Sequence, residues 1–160
     1  MEKIASFQIN HNLLERGIYV SRKDYLKGEV VITTFDLRFI KPNKEEVMST
    51  GAVHAIEHLG ATFLRNDFLF KDKIIYFGPM GCRTGFYLLL YGNLNSFDIR
   101  DLLKKMLNYI LEAKEIPGAS PKDCGNYTDM NLREAKKYSL NFLEDVINNL
   151  NEVNTIYPKL

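Results

Sequence analysis

Apolar residues recur along the chain with two periods, and the changes between them outline the elements. Lys3–Ile9 sets apolar and polar residues at alternate positions, which predicts a short strand. Gly17–Arg22 and Glu29–Phe39 are rich in β-branched and aromatic residues, with Gly28 between them, and predict an antiparallel pair. Pro42 and Asn43 break the second strand. Asn43 is then a candidate N-cap, with Glu45 and Glu46 suited to the first turn of a helix running from about Lys44 to Arg65. Gly60 falls inside that helix at a cost of ~1 kcal/mol against Ala, so a close neighbour passing its face is expected. Lys73–Phe77 and Phe86–Tyr91 predict two more strands around the glycine-punctuated loop Gly78–Gly85. Ser96 is a candidate cap for a helix whose buried stripe is Ile99, Leu103, Met106 and Ile110. Pro117-Gly118 ends that segment and Ala119–Asp129 reads as a loop. Leu132, Ala135, Ser139, Phe142, Val146 and Leu150 mark a last amphipathic helix. Helices and strands do not alternate regularly. The expected class is therefore α+β, an antiparallel sheet of about four or five strands with helices packed on one face.

A length of 160 residues suits one domain with a real core, expected to span residues 1–160. The formal charge of +1 gives no electrostatic grip on nucleic acid or an anionic membrane. No apolar run approaches a membrane span. The start, Met1-Glu2-Lys3-Ile4, lacks the apolar stretch of a signal peptide, so a cytoplasmic location is expected. In that reducing compartment the two cysteines are better read as ligands or catalysts than as a disulfide.

The chemistry centres on His54-Ala55-Ile56-Glu57-His58, which holds two of the three histidines. Four residues on a helix are about 40° of net rotation, so both imidazoles leave the same face one turn apart and can share a divalent metal. Glu57 lies on nearly the same face, placed to act as a base beside the metal without ligating it. The order His-x-x-Glu-His matches the inverted zinc-peptidase motif. A chance pair on a polar helix face is the duller alternative. A catalytic metal takes three protein ligands and keeps one position open. Cys124, next to Gly125 in the long loop, is the candidate third ligand, although Cys-Gly is also an ordinary loop pair. A His₂Cys set suits zinc or ferrous iron and does not choose between them. Cys82 sits in a tight loop beside Arg83, where a cation and free backbone N–H groups favour a thiolate able to act as nucleophile or acid/base. A buried, inert cysteine is the alternative.

Several strings together resemble the S-ribosylhomocysteine lyase (LuxS) family. They are His54–Asn66, Pro79–Phe86 (Pro-Met-Gly-Cys-Arg-Thr-Gly-Phe), Thr34–Phe39 and Cys124–Tyr127, with Ser6-Phe7 and then His11 at the start. The match runs in order over nearly the whole chain. The resemblance implies a homodimer with two shared active sites at the interface. It implies Fe²⁺ held by His54, His58 and Cys124, with Zn²⁺ or Co²⁺ able to substitute, and Glu57 and Cys82 as the acid/base pair. Ser6, His11 and Arg38 would reach the substrate from the partner subunit, with Arg65 supporting the site. One departure stands out: Tyr76-Phe77-Gly78 occupies the place of the family's usual Asp-x-Ser, which removes a carboxylate that could contact the substrate's amino-acid end. Without the resemblance, Ser6, His11 and Arg38 read as a strand residue, a turn residue and a partner for Asp36.

The implied substrate is a ribose joined through a thioether to homocysteine. Its carbonyl must migrate from C1 to C3 before the C–S bond can be eliminated, each shift passing through an enediolate that a metal stabilises as a Lewis acid. Cys82 would move protons mainly in the isomerisations and Glu57 in the last step as well, releasing homocysteine and 4,5-dihydroxy-2,3-pentanedione, the autoinducer-2 precursor. Two rivals stay open on the residues alone. One is an inverted-motif metallopeptidase with Glu57 activating water, and the other is a protein with a structural zinc.

Overall fold

The computed structural model of the protein describes residues 2, 4 and 7–158. Four antiparallel strands form one sheet in the order β1-β2-β4-β3: β1 is Gly17–Leu26, β2 Val30–Arg38, β3 Ile74–Pro79 and β4 Gly85–Tyr91. The β1–β2 pair is the one expected from the sequence, turned through Gly28 and Glu29, both at positive φ. The described residues of 3–9 form no strand. The Phe7 N–H bonds the Ile4 carbonyl in a turn, leaving that backbone unavailable to the sheet.

Alternation along the strands divides their residues between two faces. Ile18, Phe35, Leu37, Ile74, Phe77, Phe86, Leu88 and Leu90 join the core. Tyr19, Thr34, Asp36, Arg38, Tyr76, Tyr87 and Leu89 fall on the other face by the strand register. Helices α1 (Thr50–Leu64), α2 (Arg100–Glu112) and α3 (Leu132–Phe142) complete the core, through Ile56 and Leu59 of α1, Leu103, Met106 and Ile110 of α2, and Ala135 and Phe142 of α3. The architecture is thus α+β, as the sequence suggests. Phe39 stacks on Phe142 with centroids 4.2 Å apart and meets Phe86 edge-on, tying the last helix to the sheet. After α3 the chain widens into a π-helical turn, Leu143–Ile147, which keeps Val146 and Ile147 buried. Among the described residues no helix is long and apolar enough to cross a membrane.

Two helix starts differ from the sequence expectation. Helix α1 starts at Thr50, not near Lys44. Asn43 has φ 61° and lies in a turn closed by the Lys44 N–H on the Lys41 carbonyl, so it cannot cap. Glu45 is taken by that same turn, accepting the Lys41 N–H and pairing with Arg16. Ser49 is the N-cap, its hydroxyl accepting the Ala52 N–H at 3.1 Å. Before α2, Asn95 and not Ser96 closes the turn, by accepting the Phe97 and Asp98 N–H groups.

The close neighbour expected at Gly60 is Phe77 of β3. A Cβ at position 60 would lie 2.5 Å from Phe77 Cε1 and 3.3 Å from Met106 Sδ. In Gly60→Ala the helix gains ~1 kcal/mol of propensity, but overpacking a filled core costs ~1–3 kcal/mol. The expected net effect is a lower Tm in a thermal melt. A higher Tm would mean that the Phe77 ring gives way without cost.

Candidate active site

Helix α1 carries His54 and His58 on one face, with ring centroids 4.8 Å apart. The long loop after α2 brings Cys124 to them. The donor atoms of His54, His58 and Cys124 all lie within 4.8 Å of one another, and Cys124 Sγ is 3.4 Å from His54 Nε2. Each imidazole is aimed by a backbone carbonyl. His54 Nδ1 lies 2.8 Å from the Asp129 carbonyl oxygen and His58 Nδ1 2.8 Å from that of Pro117. A carbonyl only accepts, so each Nδ1 carries the proton and each Nε2 keeps its lone pair for an ion. The Asn126 N–H donates to Cys124 Sγ at 3.4 Å, which suits a thiolate.

Local structure holds these carbonyls in place. Gly118 has φ 72°, and a Cβ there would come within 3.2 Å of His58 Nδ1, so glycine lets the Pro117 carbonyl approach the ring. Cys124 N–H bonds the Ser120 carbonyl. The Asn131 N–H bonds the Gly51 carbonyl at 2.8 Å, and Thr50 Oγ1 donates to Asp129 Oδ1 at 3.1 Å, clamping the loop to the start of α1. The donor set therefore fits a transition metal: two imidazole nitrogens, one cysteine sulfur and carbonyls orienting both rings. Among the described residues no fourth His, Cys, Asp or Glu joins the group, whereas a purely structural zinc closes with four.

Glu57 projects from the same helix, half-buried, and its carboxylate makes no hydrogen bond or ion pair among the described residues. Cys82 is exposed in the β3–β4 loop. The neighbouring Arg83 holds a left-handed φ of 58° and exchanges hydrogen bonds with the Met48 backbone, setting the loop against the segment that leads into α1. Arg38 lies beside Cys82 of its own chain, with Nη1 4.0 Å from Sγ and 2.6 Å from Thr84 Oγ1. Its Nη2 donates to Asp36 Oδ2 at 2.5 Å, in an ion pair whose side chains are only 3% and 2% exposed. Burial alone would lower the Arg38 pKa, but the Asp36 carboxylate outweighs it and the pKa rises, so the guanidinium stays charged. Tyr157 OH also donates to Asp36 Oδ2 at 2.8 Å, and burial followed by that carboxylate pushes its pKa up. Tyr157 stacks on Tyr19, centroids 4.7 Å apart, holding the C-terminal segment against the sheet.

His11 and Arg65 are not brought to the metal group. His11 Nδ1 contacts the Ile9 carbonyl at 3.0 Å. Arg65 caps the far end of α1, where its Nη2 donates to the Ile75 carbonyl at 3.2 Å. Ser6 lies outside the described residues. Tyr76 stands half-exposed over Gly78, where an added Cβ would fall 1.9 Å from its phenol oxygen. The tyrosine thus fills the space that a side chain at 78 would need, and the two departures from Asp-x-Ser accommodate each other. Sequence reasoning did not identify the Pro117 and Asp129 carbonyls or Thr84. The glycine after Pro117 was the one available signal, and it reads equally well as a helix stop.

Residues 4–153 match the family model described as S-Ribosylhomocysteinase (LuxS). The chain belongs to the LuxS family. LuxS relatives match it from end to end. An S-ribosylhomocysteine lyase of Finegoldia magna is 61% identical over 160 residues, covering 99% of this chain and 100% of that protein. One from Clostridium beijerinckii is 56% identical, covering 99% of each chain. One from Borreliella burgdorferi is 50% identical, covering 99% of this chain and 100% of its own. Within that family fold the chain groups His54, His58 and Cys124.

Proposed function

We propose that Cys82 and Glu57 move the protons of a two-step carbonyl migration and a β-elimination, beside Fe²⁺ held by His54, His58 and Cys124. Membership of the family makes the chain an S-ribosylhomocysteine lyase, a carbon–sulfur lyase of autoinducer synthesis. The observation that carries the reading is the convergence of two oriented Nε2 atoms and one cysteine sulfur, three donors in all, in a chain that also presents an exposed cysteine beside a buried arginine.

A bound divalent ion supplies Lewis acidity, lowering the cost of negative charge on the sugar's oxygens by several kcal/mol. The chain's own groups do the rest. Cys82 thiolate takes the C2 proton of the open-chain sugar, and returning a proton to C1 gives the 2-ketone. A second transfer, from C3 to C2, gives the 3-ketone. Glu57 then takes the C4 proton, the C5–S bond breaks, and homocysteine leaves as a thiolate that is protonated on release. The remaining enol tautomerises to 4,5-dihydroxy-2,3-pentanedione, the autoinducer-2 precursor. The Glu57 carboxylate has no hydrogen-bond or ion-pair partner among the described residues, and Arg38 is charged and near enough to steady an anionic Cys82.

The rest of the assignment rests on the family resemblance together with the open sheet face. That face carries Tyr76, Tyr87 and Leu89 around a shallow cleft of about 490 Å³ that also includes Thr34 and Ser21. A second copy of the chain is assigned to it, giving a homodimer that shares its active sites in the cytoplasm. Ser6 and His11 then bind the substrate from the partner subunit, with Arg65 in support. Arg38 acts next to the Cys82 of its own chain, because its fork is already divided between Asp36 and Thr84. The test is Glu57→Gln, which keeps the shape but cannot take a proton. Homocysteine release measured with a disulfide reagent should fall ~10²–10⁴-fold, with metal content unchanged. Full activity in that variant would remove Glu57 from the chemistry.

A further inference from the structure

The Thr84 hydroxyl has its direction forced on it. Arg38 Nη1 reaches Thr84 Oγ1 at 2.6 Å, and a guanidinium has no acceptor, so Thr84 accepts there. Its single O–H remains, and Cys82 Sγ lies 3.1 Å away. Arg38 cannot turn to reverse this, since Asp36 holds its other amino group at 2.5 Å and Tyr157 holds Asp36 at 2.8 Å. Thr84 is 5% exposed, so water does not compete freely for the hydroxyl.

We propose that Thr84 is a positioning residue for the lyase reaction: held by Arg38, its hydroxyl donates to Cys82 Sγ, orienting the sulfur and favouring its anionic form. The proposal rests on the reading of Cys82 as a proton-transfer group. A thiolate can only accept, so an oxygen that is fixed as a donor matches the thiolate and leaves a thiol's own proton without that partner. The ionisable groups around the sulfur are Arg38 from β2 and Tyr87 from β4, with Asp36 and Tyr157 behind Arg38. Arg83, the adjacent residue, sends Nη1 to the Met48 carbonyl at 3.2 Å. Thr84 can lose its hydroxyl without breaking the buried Asp36–Arg38 pair, which Nη2 makes.

The test compares Thr84→Val, Thr84→Ser and wild type as full-length, metal-loaded protein. Iodoacetamide alkylation of the Cys82 peptide is followed by mass spectrometry across a pH series, beside steady-state kinetics with S-ribosylhomocysteine. Thr84→Val should move the alkylation midpoint up by about one pH unit, which is ~10-fold less thiolate below the midpoint. Its kcat should fall with little change in KM, and Thr84→Ser should restore both. Should Thr84→Val not fold, Thr84→Ala makes the same comparison. An unmoved midpoint in the hydroxyl-less variant would overturn the proposal, as would a serine variant displaced as far as valine. Alkylation needs no turnover, so this failure is distinct from failure of the lyase reading, in which wild type itself would release no homocysteine.

Discussion

Replacing Cys82 with Ala should abolish homocysteine release while leaving fold and metal content intact. The side chain is exposed in a loop, so truncation opens no core cavity and stability should change by no more than ~0.5 kcal/mol. Among the described residues its sulfur bonds no metal ligand; its partners are Thr84 Oγ1 and Arg38 Nη1. Chemically the loss is severe. Each carbonyl shift removes a proton from carbon and returns one to its neighbour, and the proposed thiolate serves both shifts. One positioned acid/base contributes ~10²–10⁴-fold. The same variant separates the rivals, because an inverted-motif peptidase works through Glu57 and water and would keep its activity. Metal content by elemental analysis and the disulfide-reagent assay together check the expectation.

His58→Ala should cost the metal itself. Three donors are the smallest catalytic set, and removing one leaves an imidazole and a thiolate 3.4 Å apart. The substitution also leaves the Pro117 carbonyl without the N–H that it accepts. Bound metal after gel filtration should fall from one equivalent per chain to near none, and activity should fall with it. Stability should respond too. An ion that binds the folded chain at ~100 times its Kd adds ~2.7 kcal/mol, so chelation should lower the Tm of wild type and leave that of the variant nearly unmoved. A variant that retains a full equivalent of metal would remove His58 from the ligand set.

The ligand helix was legible because its signal is local. Four-residue spacing fixes which face two imidazoles share, whatever surrounds them. The start of that helix was not legible. Asn43 and Ser49 are both good caps, and the choice fell to Ser49 because Asn43 adopts a left-handed turn and Glu45 is drawn off to Arg16 and the Lys41 N–H. Cys124 could be proposed only as a candidate, since the loop that delivers it is fixed by long-range bonds from Asn131 to Gly51 and from Thr50 to Asp129. Arg38 shows the limit most clearly. Its pairing with Asp36 follows from period-two alternation on β2, but the pair's other partners, Thr84 and Tyr157, lie far away in sequence. The arginine that the resemblance assigns to the substrate bonds Asp36 and Thr84 of its own chain. The Gly60 contact was legible in kind but not in partner, because nothing local says that Phe77 crosses there.

The most direct measurement is thiol release from S-ribosylhomocysteine by the Fe²⁺- or Co²⁺-loaded protein, with Cys82→Ala and chelated wild type run alongside. Metal-loaded wild type should liberate one homocysteine for each substrate consumed, and both controls should liberate almost none. Wild type that holds a full equivalent of metal yet releases no homocysteine would contradict a lyase built on His54, His58, Cys124 and Cys82, and so would a Cys82→Ala variant as active as wild type.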